Sequence, residues 1–246
     1  MDYEFPGRSA FAELRRALPV VAAVLFVAAL ALPMWEISVD AVQYPTRTLQ
    51  LQLYAYPHIT GDYVEMARLN HYIGFYYPDP VYWQPNYEPH PNAIAVPEWS
   101  LGPLAFVAVS LCSLFVALAP DVRRLKRGLL AQFAGTALVF GVMLADIQYR
   151  LYQAGHTLDP GAPVMGVDGF TPPIWGAYQI ANITSRSRFG LGAYVAALAV
   201  ALLAVAFYYR DRETTFGDLW NGATRRLGVG DSSREDRPTA DDPTGR

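Results

Sequence analysis

Four apolar stretches dominate what this chain can fold into: Ala17 to Trp35, Leu101 to Ala119, Leu129 to Tyr149, and Phe189 to Tyr209. Each is close to the ~20 residues an α-helix needs to cross the hydrocarbon core of a bilayer, where backbone polar groups must be satisfied within the segment. The first follows Arg15 and Arg16 and so has the outline of a signal peptide. Its apolar run is longer than usual for one, and no small-residue cleavage site follows Pro33-Met34-Trp35, so it is read as an uncleaved span. Trp35, Tyr208 and Tyr209 fall at the expected interfaces, where aromatic rings prefer to lie.

Basic residues set the orientation, because short positively charged loops resist translocation. Arg8, Arg15 and Arg16 precede the first stretch, Arg123, Arg124, Lys126 and Arg127 lie between the second and third, and seven arginines follow the fourth. The two long connections carry only Arg47, Arg68, Arg150, Arg186 and Arg188. The expected layout is a cytoplasmic N-terminus over 1–16, spans over 17–35, 101–119, 129–149 and 189–209, an outer domain over 36–100, a cytoplasmic loop over 120–128, a second outer loop over 150–188, and a largely disordered cytoplasmic tail over 210–246. The fold class is thus membrane all-α with a small mixed α/β extracytoplasmic domain, placed in the cytoplasmic (inner) membrane with both long loops outside. The lipid bilayer is its first partner. A net charge of −3 excludes a nucleic-acid binder of the usual basic kind. The lone Cys112, inside the second stretch, excludes an internal disulfide, so the outer domain holds together without one, or with a metal.

In the outer domain, Trp35, Ile37, Val39 and Ala41 alternate with Glu36, Ser38 and Asp40, and Leu49, Leu51, Leu53 and Ala55 alternate with Gln50, Gln52, Tyr54 and Tyr56. With Tyr44-Pro45-Thr46-Arg47 between them, these runs predict a β-hairpin. Asp62 stands three residues before Glu65 in a capping-box-like spacing, which predicts a short helix ending near Gly74 with His71 in its last turn. From Tyr76 to Trp99 six prolines exclude regular helix or central strand. The second outer segment reads as an extension of the third span to about Gln153, a stop at Gly155, and a proline-rich loop to Arg188.

Several strings resemble a known family: Leu-Pro-Met-Trp (32–35) with Gln-Tyr-Pro (43–45), Ile-Thr-Gly-Asp (59–62), Leu-Asn-His-Tyr-Ile-Gly (69–74) and Gly-His-Thr-Leu-Asp-Pro (155–160). They are similar to those of a little-characterised multi-pass membrane protein family encoded beside nitrous oxide reductase and its copper-assembly genes, especially in the atypical, Sec-exported class of these clusters. The resemblance covers both outer loops and their flanking spans. It implies an accessory role in periplasmic copper-enzyme maturation or electron supply, with copper as the metal and a copper enzyme, copper chaperone or cytochrome as partner. The family pattern has a methionine after His-Tyr-Ile-Gly, where this chain has Phe75. Were that methionine a copper ligand, the site here would be altered or absent.

From the residues themselves, imidazole suits copper and zinc and thioether suits Cu(I). The outer side offers His58, His71, His90 and His156 with Met34, Met66 and Met165. No pair of histidines stands three or four apart, so the fold must assemble any site, and each histidine otherwise reads as a surface or hydrogen-bonded structural residue. His71, His156, Met66 and Met165 are the candidate metal ligands. Asp146 lies near the outer end of the third span with Arg150 four residues on, a natural ion pair. The alternative is a quinol or proton site formed by Asp146 and Arg150 beside His156. No phosphate loop, haem-attachment motif, nucleophile elbow or zinc-protease helix occurs, so a non-catalytic protein is expected. The seven carboxylates of 36–100 against two arginines make an acidic face that would concentrate cations or guide a basic partner. The preferred function is an accessory protein that handles copper or docks a partner on the outer face. The alternatives are a quinol-contacting anchor or electron-transfer subunit, and a structural scaffold in a membrane complex.

Overall fold

The computed structural model describes residues 13–75, 96–164, 166, 168–213, 215 and 217. The first helix, α1 (Leu14–Ala29), closes in tight turns, with Leu30 N–H donating to Val27 O, Ala31 N–H to Ala28 O and Leu32 N–H to Ala29 O. Pro33 then blocks continuation, and the chain enters strand β1 (Trp35–Ala41). The helix expected over 17–35 therefore starts earlier and has 16 residues, and Trp35 begins a strand instead of ending a span.

Strand β1 pairs with β2 (Leu49–Leu53) in the register Trp35–Leu53 to Val39–Leu49, which is the hairpin that the alternation predicts. Ile37, Val39, Ala41, Leu49, Leu51 and Leu53 all turn to the buried face, as the period of two requires. Strand β3 (Ile59–Gly61) lies beside β2, and helix α2 (Tyr63–Ile73) sends Met66, Leu69 and Ile73 into the same core. The expected capping box does not form. The Asp62 carboxylate instead accepts the Gln50 N–H at 3.0 Å and faces Arg47 at 3.6 Å, and Glu65 also pairs with Arg47, at 2.9 Å. The end of α2 is as predicted, with Gly74 at φ 72°.

The second outer segment differs from the expected loop. It supplies a second hairpin, β4 (Gly176–Ile180) and β5 (Ile183–Phe189), and β5 pairs with β1 from Trp35–Phe189 to Ala41–Ile183. The sheet is antiparallel, in the order β3-β2-β1-β5-β4, so strands from both long connections meet with β1 at the centre. Along β5 the buried positions are Ile183, Ser185 and Ser187, while Thr184, Arg186 and Arg188 lie on the other face.

Helix α3 (Gly102–Ala117) follows a 3₁₀ turn at Pro97–Leu101, α4 runs Val122–His156, and α5 (Leu191–Tyr208) ends in a 3₁₀ turn at Tyr209–Asp211. Three segments, Pro97–Ala117, Val122–His156 and Leu191–Asp211, are long and apolar enough to cross a membrane. The chain is on this ground a membrane protein carrying a small antiparallel sheet domain with one packed helix. At ~1.5 Å per residue the 35 residues of α4 reach about 52 Å, well beyond a hydrocarbon core of about 30 Å.

Small residues let these helices approach closely. Ala22 and Ala29 of α1 and Ala196 and Ala199 of α5 are buried together with Phe26, Phe106 and Leu203. The Phe26 ring stacks on Phe140 with centroids 5.5 Å apart, and Phe106 meets Phe140 edge-on at 4.9 Å. A buried polar knot crosses the bundle. Ser110 Oγ donates to Ala23 O at 2.9 Å, and Gln132 Nε2 lies 3.0 Å from Val109 O, 2.8 Å from Ser113 Oγ and 3.2 Å from Thr136 Oγ1. At the end of the bundle away from the sheet, Arg16 Nη1 donates to Ala117 O and Ala119 O, both at 2.8 Å, and so caps α3. Nearby, Arg15 pairs with Glu13 and Glu213, and Lys126 pairs with Asp211 at 2.8 Å.

The sheet joins the bundle directly. Gly190 N–H donates to Met34 O at 2.9 Å and Gly192 N–H to Pro33 O at 2.8 Å, where β5 turns into α5 beside the exit of α1. A Cβ on Gly190 would stand 2.3 Å from Pro33 O, so this crossing requires glycine.

Candidate functional site

The histidine-bearing segments do come together. His71 lies exposed in the last turn of α2 and His156 ends α4, also exposed. Beyond them, Asp159 N–H donates to Gly74 O at 2.9 Å and Val164 N–H to Tyr72 O at 3.0 Å, which stitches the two outer segments residue to residue. The stitch is tight: a Cβ on Gly74 would stand 2.9 Å from both the N and the O of Asp159. Phe75, at the position where the family pattern has methionine, is buried and stacks on Phe170 at 5.5 Å, and Phe170 stacks in turn on Tyr178 at 5.6 Å. Burial is the main reason the Tyr178 hydroxyl is pushed above its ordinary pKa, with the Ser185 hydrogen bond opposing it.

The His156 ring is oriented. It stacks on Tyr152 with centroids 4.0 Å apart, and its Nδ1 lies 2.9 Å from Tyr152 O. A carbonyl oxygen only accepts, so Nδ1 carries the proton in this bond and Nε2 of the neutral ring keeps an available lone pair. His58 stacks at 5.6 Å on Tyr56 and lies 5.0 Å from the Tyr54 ring, in the turn between β2 and β3.

The other expected ligands are placed differently. Met66 is 1% exposed, packed with Leu49, Leu51 and Leu69, so its thioether belongs to the sheet core. Met34 packs against the bundle core. Met165 and His90 lie outside the described residues, as do the acidic Asp79 and Glu88 and the proline-rich run over 76–95. Among the described residues no group of three or more His, Cys, Asp or Glu side chains is placed to hold a metal ion.

The expected Asp146–Arg150 pair is replaced by a longer-range one. Arg150 pairs with Glu98, at the 3₁₀ turn before α3, and its Nη1 donates to Gln153 Oε1 at 3.1 Å. Glu98 competes successfully because it approaches Arg150 from the facing element, whereas Asp146 lies a full turn back along the same helix. Asp146 is left half-buried below that pair.

The acidic face is only partly free, because arginines of loop two pair with three carboxylates of loop one. Arg188 pairs with Glu36 at 2.7 Å, Arg186 with Asp40, and Arg150 with Glu98, while Arg47 holds Asp62 and Glu65. The Thr48 hydroxyl and then Arg186 hold the Asp40 carboxyl below its ordinary range. A depressed carboxylate contributes stability that is fully present above the unfolded value of about 3.9 and lost as pH falls through the folded value. Thermal melts of the wild type between about pH 5 and pH 2.5 are therefore expected to show an acid-side loss that is smaller in Asp40→Asn; an identical acid limb in both proteins would contradict the pairing.

Sequence reasoning missed the roles of Arg186 and Arg188. Their alternation with Ser185 and Ser187 was the available signal, matching Glu36, Ser38 and Asp40 on the neighbouring strand. Comparison with protein-family models finds no match, and comparison with curated proteins finds none either.

Proposed function

We propose that this chain is a non-catalytic integral membrane accessory protein that crosses the cytoplasmic membrane four times and uses its sheet domain as an outer docking platform for a partner in copper-enzyme maturation or electron supply. The observation that carries this reading is the single sheet built from both long connections and fixed to the bundle through the Gly190–Met34 and Gly192–Pro33 bonds. It makes a rigid surface immediately above the helix ends. The copper context rests on the five strings resembling proteins encoded beside nitrous oxide reductase, and the orientation rests on the placement of Lys and Arg. With α1 as the fourth crossing, both ends lie inside. Its 16 helical residues, about 24 Å, suit a crossing that finishes in the Leu30–Leu32 turns.

The test is the copper content and turnover of a periplasmic copper reductase made in cells with and without this chain. Loss of copper from the reductase, or loss of its electron supply with copper retained, is expected. A fully metallated reductase supplied with electrons at the normal rate would contradict the proposal.

Copper binding by the chain itself is the second reading, favoured by the free Nε2 lone pair of the oriented His156. Copper retained after Cu(I) incubation and desalting, and lost in His71→Ala/His156→Ala, would support it; no copper in either protein would contradict it.

A further inference from the structure

We propose that Arg123 and Arg127 form a binding site for the phosphate of an anionic phospholipid at the N-terminal end of α4. The inference rests on the reading of α4 as a membrane-spanning helix, and goes beyond it to lipid selectivity.

Most cationic side chains at this end already have partners. Arg15 has Glu13 and Glu213, Arg16 has the α3 carbonyls, Arg124 has Asp121 at 3.2 Å, and Lys126 has Asp211 at 2.8 Å. Arg210 has Asp211 at 3.5 Å and lies over the Phe207 ring. Arg123 and Arg127 are exposed and make no ion pair or hydrogen bond among the described residues. On the sheet side, by contrast, Arg47, Arg150, Arg186 and Arg188 each face a carboxylate of this same chain, and Arg68 stands exposed without a second arginine beside it.

Their position defines the ligand. Spaced four apart, Arg123 and Arg127 share one face of α4, where two like charges repel unless an anion lies between them. The Lys126–Asp211 ion pair fixes this level beside Tyr208 and Tyr209 at the end of α5, and adjacent aromatic rings mark headgroup depth. Below the arginines the same face continues through Leu130, Ala134, Leu138 and Gly141, all exposed. From Arg127 to Gly141 it descends about 21 Å at ~1.5 Å per residue, about the depth of one leaflet with its headgroup region. Charge at headgroup depth, continuous with an apolar face, fits a phospholipid and not a soluble anion. Guanidinium groups also engage phosphate oxygens in bidentate fashion.

The experiment uses the full chain in nanodiscs holding equal phosphatidylglycerol and phosphatidylcholine, with native mass spectrometry reading the lipids that stay bound. The wild type is expected to retain phosphatidylglycerol preferentially. At about a fivefold loss per arginine removed near a charged surface, Arg123→Gln/Arg127→Gln is expected to lower that preference roughly thirtyfold. Arg68→Gln on the sheet side is expected to keep it, and so is the wild type in excess inorganic phosphate. Equal lipid ratios in the wild type and the double variant would overturn the proposal, as would displacement of the lipid by inorganic phosphate. An unchanged melting temperature in the double variant is expected from side chains without protein partners, and keeps a lost preference distinct from misfolding. Recovery of the chain in the soluble fraction would overturn the spanning reading, and the proposal with it.

Discussion

Replacing Arg16 by methionine is expected to destabilise the bundle by about 2–4 kcal/mol, read as a lowered unfolding midpoint in detergent. The guanidinium is buried and makes two bonds of 2.8 Å to Ala117 O and Ala119 O. Those carbonyls have no intrahelical partner at the end of α3, and the cation also meets the negative end of the helix dipole. Methionine fills much of the volume but leaves both oxygens without this donor. Lysine keeps the charge but not the planar fork, so Arg16→Lys is expected to fall between methionine and wild type. A melt of Arg16→Met that superimposes on the wild type would show that Arg16 serves only to set orientation.

Gly190→Ala is the second substitution with a large expected effect. The added methyl would meet Pro33 O at 2.3 Å, a backbone atom held by the Gly192 N–H bond, so no flexible side chain can yield to it. The substitution is expected to cost about 3 kcal/mol or more and to loosen the sheet from the bundle. Gly135→Ala is the matched comparison. A Cβ there meets nothing within 4 Å on an exposed face of α4, and alanine is the better helix former by about 1 kcal/mol. Hydrogen exchange of β1 and β5 should rise in Gly190→Ala and stay unchanged in Gly135→Ala. Equal melts for the two variants would contradict the close junction.

What was legible in the sequence had a strong local pattern. The β1–β2 hairpin shows in the alternation of Ile37 and Val39 and of Leu49, Leu51 and Leu53, because one face of each strand is purely apolar. Gly74 and the helix before it, with His71 in the last turn, show for the same local reason. β5 escaped because Ser185 and Ser187 occupy its buried positions, so polarity alternates too weakly to read. Its place in the sheet is a contact between segments about 150 residues apart, beyond the reach of any local window.

The surroundings of the candidate residues were hidden for the same reason. Met66 has the chemistry of a copper ligand, yet its spacing with Leu69 and Ile73 puts it on the apolar side of α2, under the sheet. Asp146 and Arg150 satisfy the spacing of a helical ion pair, but Glu98 arrives from a different element. The acidity of loop one is partly offset by arginines of loop two, which pair with Glu36, Asp40 and Glu98 and which only the fold brings near. The orientation of His156 depends on a bond to the Tyr152 carbonyl that no sequence spacing specifies, since every helical residue has a carbonyl four positions back.

The central claim is that both long connections lie outside and close into one sheet above the membrane. The most direct test is thiol labelling in intact cells with a membrane-impermeant maleimide, in a Cys112→Ala background. Val42→Cys lies in the turn after β1, 68% exposed, Gln179→Cys lies exposed on β4, and Arg124→Cys lies exposed in the first turn of α4. The expected result is labelling of Val42→Cys and Gln179→Cys without permeabilisation, and of Arg124→Cys only after it. Labelling of Val42→Cys with Gln179→Cys protected would put the two connections on opposite sides of the membrane, where β1 and β5 could not pair, and would contradict the account.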